Sequence, residues 1–198
     1  MKDEAAAQAA PKLANPAPLG LMGFGMTTVL LNIANAGFFG QDVMVLAMGI
    51  FYGGLAQIVA GIMEFKKGNT FGLTAFTSYG LFWLSLVFII LGGRHGWFAY
   101  DPAFLGWYLF MWGLFTCTMW VGTWGRNRAI QFVFASLTVL FWLLAVGHWF
   151  PVAGWFRTAT GIEGIVCGLS AIYLAAAEVL NEARGRVVLP ICETGSRE

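Results

Sequence analysis

Apolar residues run along this chain in long blocks, broken only by short polar clusters. A helix needs about 20 mostly apolar residues to cross a bilayer, and six stretches reach that length: 17–39, 43–64, 70–92, 103–124, 128–149 and 159–182. The breaks between them are short, so consecutive helices are expected to be antiparallel neighbours, with no room for a second domain. The pattern predicts an all-α integral membrane protein, a bundle of six spanning helices within residues 15–183. A flexible cytoplasmic N-terminal tail (1–14) and a cytoplasmic C-terminal tail (184–198) flank it. The stretch MKDEAAAQAAPKLA at the N-terminus is too weakly apolar to be a signal peptide.

Composition supports lipid, not water, as the outer solvent. Of 198 residues, 59% are hydrophobic and 11% charged, and the mean hydropathy is +0.72. A net charge of +1 offers no basic surface for nucleic acid. Lysine and arginine are divided unequally between the two sides. Lys2, Lys12, Lys66, Lys67, Arg126, Arg128, Arg184, Arg186 and Arg197 fall on one side, and only Arg94 and Arg157 on the other. The positive-inside rule then puts both termini in the cytoplasm of a multi-pass inner-membrane protein. Trp97, Trp107, Trp149 and Trp155 fall near the outer helix ends, as an interfacial aromatic belt would. Cys117, Cys167 and Cys192 form no CxxC pair, and the first two read as apolar filler. No metal or cofactor site is expected.

Pairing the helices brings out an internal repeat. Each odd helix starts near an asparagine: Asn15 in NPAP, Asn69 in KKGNTFG and Asn127 in GRNRAIQ. Each even helix carries Gly-Leu near its middle, at Gly54, Gly113 and Gly168, and ten residues further on stand Glu64, Thr123 and Glu178. The expectation is three helical hairpins about a pseudo-threefold axis, an arrangement common in transporters. Asn15 reads as an N-cap with Pro16 in the first helical position, where its missing N–H is harmless. If all three asparagines cap, three positive helix ends could meet at one mouth and attract an anion; equally, each could be an ordinary cap facing water.

Other polar and small residues carry the same double reading. Gly20, Gly23 and the Gly49/Gly53 pair fit close packing between helices. Thr27 and Thr28 either bond back to the preceding turn or line a pore. Intramembrane carboxylates are functional suspects: Glu64 and Glu178, near the cytoplasmic helix ends, either pair with Lys66 or Lys67 or handle protons. Glu163 lies early in the sixth helix, toward the outside, and His95 and His148 fall at the outer boundary.

The stretches NPAPLGLMGFGMTTVLL, MGIFYGGLAQIVAGIMEFKKGNTFGLTAFTSYG and CGLSAIYLAAAEVLNE with GRVVLPI resemble the signature blocks of the acetate uptake transporter family, the succinate–acetate permeases. The resemblance runs from about residue 13 to 191 and is weakest in the outer loops, 93–104 and 147–162. It implies six transmembrane helices, a homohexamer with one pore per protomer, and movement of acetate, with succinate in some members. It also implies an apolar constriction, which falls here on Phe24 in GFG, Tyr79 in TSYG and Leu137 in SLTVL. These lie 9, 10 and 10 positions inward from Asn15, Asn69 and Asn127. At about 1.5 Å per residue all three sit near the midplane of a core about 30 Å thick.

A bare carboxylate at that depth needs compensation. Asn15, Thr27, Thr28, Gln57, Thr74 and Ser78, with the Tyr79 hydroxyl, are the candidates to contact substrate, and Glu64 and Glu178 the candidates to carry a proton. The ring would admit a methyl end and resist hydrated ions. Anion channel and proton-coupled carrier both remain open, and a channel for neutral solutes such as ammonia or urea is the alternative. An intramembrane enzyme is disfavoured, because the chain has no HExxH and no Ser/His or Cys/His pair at matched depth.

Overall fold

The structure, a computed structural model, describes residues 13–40 and 42–194. All regular structure among them is helical: α1 (Ala17–Asn35), α2 (Val43–Lys66), α3 (Thr70–Arg94), α4 (Pro102–Val121), α5 (Arg128–Trp149) and α6 (Gly154–Arg184). Each of the six is long and apolar enough to cross a membrane. Lys2, Lys12, Arg197 and nearly all of the N-terminal tail lie outside the described residues.

Two helix ends differ from the hydropathy reading. α1 stops at Asn35, and the chain then turns through Gly37 at φ +85°. α6 starts at Gly154, because a helix of 31 residues outruns the hydrocarbon and carries exposed Trp155 and Arg157 on its first turns. A third difference concerns Asn15. Pro16, not Asn15, occupies the cap of α1, and Pro18 falls in the first turn. Asn15 Oδ1, from the position before that cap, accepts the Ala17 N–H at 3.3 Å. Asn69 and Asn127 do cap, accepting from Gly72 N and Ile130 N.

The closest packing joins α1 to α6, α2 to α3 and α4 to α5. Lipid tails give no hydrophobic drive for helix pairing, so small residues that let backbones touch decide it. A Cβ at Gly25 would sit 2.7 Å from the Gly168 carbonyl oxygen, and one at Gly168 equally close to that of Gly25. Gly80 meets the carbonyl of Gly54 at the same 2.7 Å. Between α4 and α5 the small residues are Gly106 and Gly113, and the Trp149 and Trp142 indoles fill the space above them. Within α2, residues Phe51–Ala56 form a π turn. Such a turn is wider than its α neighbours and shifts the face that follows. Beyond it Gln57 and Glu64, two turns apart, point the same way, inward.

The segment after α6 runs back across the ends of α5 and α6. Asn181 anchors it: Oδ1 accepts from Val188 N at 2.6 Å and Leu189 N at 3.0 Å, and Nδ2 donates to Leu189 O at 2.9 Å. The Tyr173 hydroxyl donates to Pro190 O. Arg128 N and Ala129 N, the first two donors of α5, give their hydrogens to Cys192 O (2.9 Å) and Ile191 O (3.3 Å). The N-terminus of α5 is thereby closed by protein carbonyls, which removes one of three expected positive helix ends from contact with solute.

Two outcomes follow for measurement. Gly80→Ala forces apart a backbone contact and is expected to cost about 1–3 kcal/mol, lowering the melting temperature of the purified protein in detergent. Gly147→Ala, with nothing within 4 Å of the added Cβ, should leave it unchanged. Asn181→Ala removes three anchors of about 1 kcal/mol each, so amide exchange at Arg128 and Ala129 should quicken by about tenfold or more.

Candidate functional site

The odd helices turn matching stripes toward a common space. α1 contributes Ala17, Leu21 and Phe24, α3 Gly72, Ala75, Phe76 and Tyr79, and α5 Ile130, Val133, Phe134 and Leu137. Steps of three and four keep each set on one helical face. Together they enclose a cavity of about 580 Å³ that opens beside Asn69, Asn127 and Glu178 and reaches inward to Phe24, Tyr79 and Leu137. Those three are 6%, 3% and 3% exposed. The rings of Phe24 and Tyr79 stand 6.2 Å apart, and that of Phe134 lies 6.2 Å from Tyr79.

Tyr79 is held from behind. Its hydroxyl donates to Thr116 Oγ1 on α4 at 2.9 Å, and Thr116 passes its own hydrogen to Trp112 O at 2.7 Å. Phe115 packs edge-on against the ring at 5.4 Å. The polar end of the tyrosine is thus occupied by α4.

The mouth is polar and cross-linked. Asn15 Nδ2 donates to Glu178 Oε2 at 2.8 Å, Asn69 Nδ2 donates to Glu64 Oε2 at 2.8 Å, and Lys67 Nζ donates to Asn15 Oδ1 at 3.1 Å. Lys67 also comes within 4.0 Å of Glu64. Glu64 is fully buried, and its Oε1 finds no hydrogen-bond partner among the described residues. Thr123, at the corresponding point of the third hairpin, is buried and donates to Trp120 O. Two carboxylates therefore share one nearby ammonium, each steadied by an asparagine from the start of another helix.

Of the residues singled out in the sequence, Phe24, Gln57, Glu64, Tyr79, Leu137 and Glu178 line this cavity. Gln57 is 1% exposed, and its Oε1 lacks a partner among the described residues. Asn15 stands just behind Glu178, beside a neighbouring cleft. Thr27 turns away, donating to Gly23 O at 2.7 Å and packing beneath Gly53. Thr28 is buried outside the cavity, and its hydroxyl has no hydrogen-bond partner among the described residues. Thr74 is exposed on the outer face of α3 and Ser78 is half-buried; the inward face of that helix belongs to Ala75 and Tyr79. At the far end His148, Arg157 and Asn35 border a second cavity of about 630 Å³.

Four contributors escaped the sequence reading. Arg126 lines the mouth with its guanidinium 4.4 Å from the Phe71 ring, a cation–π distance. Glu193 and Thr194 reach the same rim from the returning C-terminal segment. A loop arginine and two residues in a presumed tail carry no periodic signal that would assign them. Thr116 is the fourth, legible only once α4 is seen behind Tyr79.

The assembled features are a polar, carboxylate-bearing mouth, a buried carboxamide at depth and an apolar aromatic floor. They suit passage of a small solute with one polar and one apolar end. Comparison with known proteins agrees in kind. The chain is 62% identical over 184 residues to the succinate-acetate/proton symporter SatP of Escherichia coli (strain K12), covering 92% of this chain and 97% of that one. It is 36% identical over 190 residues to ammonia transport outward protein 2 of Saccharomyces cerevisiae (strain ATCC 204508 / S288c), covering 90% of this chain and 66% of that one. Its fold superposes on the structure of the bacterial acetate channel SatP with a TM-score of 0.88 at 61% identity, covering 91% of this chain and 99% of the other. The model of the GPR1/FUN34/yaaH family matches residues 1–194. With six membrane-spanning helices and these relatives, the chain is a multi-pass membrane protein of the GPR1/FUN34/yaaH family.

Proposed function

We propose that this protein carries acetate and similar small carboxylates across the cytoplasmic membrane. The observation that carries the reading is the cavity that narrows from the carboxylate–asparagine mouth to Phe24, Tyr79 and Leu137. Acetate has one charged end and one methyl. Asn69, Asn127 and Arg126 at the mouth and the Gln57 carboxamide suit the first, and the apolar floor suits the second, repelling fully hydrated ions that cannot shed water. No lysine or arginine lines the deep part of the cavity, so an anion is held weakly and can leave. The 62% identity to a succinate-acetate/proton symporter supports the same substrate class.

Glu64 and Glu178 are our candidates for proton handling. Each bonds an asparagine amide at 2.8 Å, and both face the cavity. We also propose a pseudo-threefold protomer within a homohexamer, both termini in the cytoplasm. The recurrence of Val29 over Gly168, Leu84 over Gly54 and Trp142 over Gly113 supports the threefold. Lys66, Lys67, Arg126 and Arg128 at the mouth end support the orientation. Ammonia is the second reading, favoured by the 36% identity to a yeast protein named for outward ammonia transport.

The test is radiolabelled acetate uptake into proteoliposomes, with membrane voltage and pH gradient set separately. Wild-type protein is expected to carry acetate, with excess ammonium leaving the rate unchanged. Phe24→Ala and Tyr79→Ala should widen the floor, changing the acetate rate by about tenfold (about 1.4 kcal/mol in the barrier) and admitting longer monocarboxylates such as butyrate. No protein-dependent acetate uptake under either gradient would sink the carboxylate reading, and competition by ammonium would move the second reading to first place.

A further inference from the structure

One intramembrane carboxylate takes no part in the mouth. Glu163 lies on α6, half-buried, and its Oε1 accepts the Ser136 hydroxyl of α5 at 2.6 Å. Its Oε2 is buried and has no hydrogen-bond partner among the described residues. Ser136 is only 9% exposed and immediately precedes Leu137, so the carboxyl sits behind one of the three residues that floor the cavity. One turn along, Cys167 Sγ points at Val133 O across the same seam at 3.9 Å. The α5–α6 seam at the depth of the ring is therefore tied by two contacts, and one of them is ionisable.

We infer that Glu163 is a protonation-dependent positioning residue for the ring, acting through Ser136 on Leu137. The inference rests on the acetate reading of the pathway. A charged carboxylate at this depth requires compensation, and one neutral hydroxyl supplies it to one oxygen only. In the charged state Ser136 must donate to Glu163, and a negative charge stands close behind the path of an anion. In the neutral state the carboxyl is itself a donor, the charge is gone, and Ser136 is free to bond elsewhere. The two states thus ask for different arrangements of α5 beside Leu137 and set different barriers to an anion.

Little else nearby titrates. α1 carries no ionisable side chain between Ala17 and Asn35. α5 carries only Arg128 and His148, at its opposite ends. On α6 itself the nearest are Cys167, one turn further on, and Arg157, six residues before, with Glu178 far along at the mouth. A pH response of the ring in the neutral range therefore has Glu163 as its ionisable group at that depth.

The experiment is acetate current across a planar bilayer, followed through the neutral pH range where acetate stays ionised. Wild-type current is expected to rise on acidification. Glu163→Gln keeps the position neutral, so its current should be about tenfold above wild type at the alkaline end and its pH slope shallower, with only the slope from Glu64 and Glu178 at the mouth left. Ser136→Ala removes the donor that favours the charged form, so its rise should begin at higher pH than in wild type. An infrared difference spectrum should show an acid-induced carboxyl band that Glu163→Gln abolishes. The inference is overturned if Glu163→Gln keeps the wild-type pH slope, or lowers the current by one factor at every pH as a merely structural brace would. If wild-type protein passes no acetate at any pH, it is the transport reading that fails, a result told apart by the first trace recorded.

Discussion

Three pairs of helices in this protein touch backbone to backbone, α1 with α6 at Gly25 and Gly168, α3 with α2 at Gly80 and Gly54, and α1 with α2 at Gly23 and Tyr52. In lipid this contact carries more weight than it would in water, because exclusion of apolar surface no longer favours one helix partner over another. The residue before Gly25 is Phe24, and the residue before Gly80 is Tyr79. Wherever the glycines are pinned, the aromatic side chains are carried inward at one depth. On the third odd helix Leu137 precedes Thr138, whose hydroxyl bonds back to Phe134 O, and Gly113 opposite is covered by Trp142. That seam is built from a large side chain over a small residue, and it lies next to the helix braced by Ser136 and Glu163.

The mouth follows a different rule. Its carboxylates are not matched one to one with cations. Each is held by an asparagine that belongs to the start of a separate helix, so helix ends and ionisable groups are joined in one network. Asn69 both caps α3 and holds Glu64, and Asn15 holds Glu178 while receiving Lys67. Asn15 also accepts the Ala17 N–H at 3.3 Å, so the same side chain serves the start of α1 and the mouth.

The sequence made depth legible, and azimuth much less so. Six apolar runs and three spaced asparagines locate Phe24, Tyr79 and Leu137 along their helices, and the family blocks name them. Rotation about the helix axis is not encoded in a helix that is apolar on nearly every face. Thr74 and Ser78 have the right depth and the wrong direction for this cavity, while Ala75, one residue from Thr74, faces inward. Gln57 lines the cavity although a π turn just before it alters the face that α2 presents. Arg126, Glu193 and Thr194 were invisible for another reason. They reach the mouth through contacts between segments distant in the chain, such as Thr194 Oγ1 to Arg126 O, and no local pattern reports these.

The returning segment after α6 also sets an order of events. Arg128 and Ala129 receive their hydrogen-bond acceptors from Ile191 and Cys192, which the ribosome makes some sixty residues later. While the nascent chain threads into the bilayer, α5 must therefore wait with its first turn open to water. Only after α6 has been inserted and its carboxyl-side extension has emerged can that turn be finished. A chain halted during α6 would own nearly every wall of its conduit and still lack the rim, because the segment that follows the last spanning helix is what finishes the entrance.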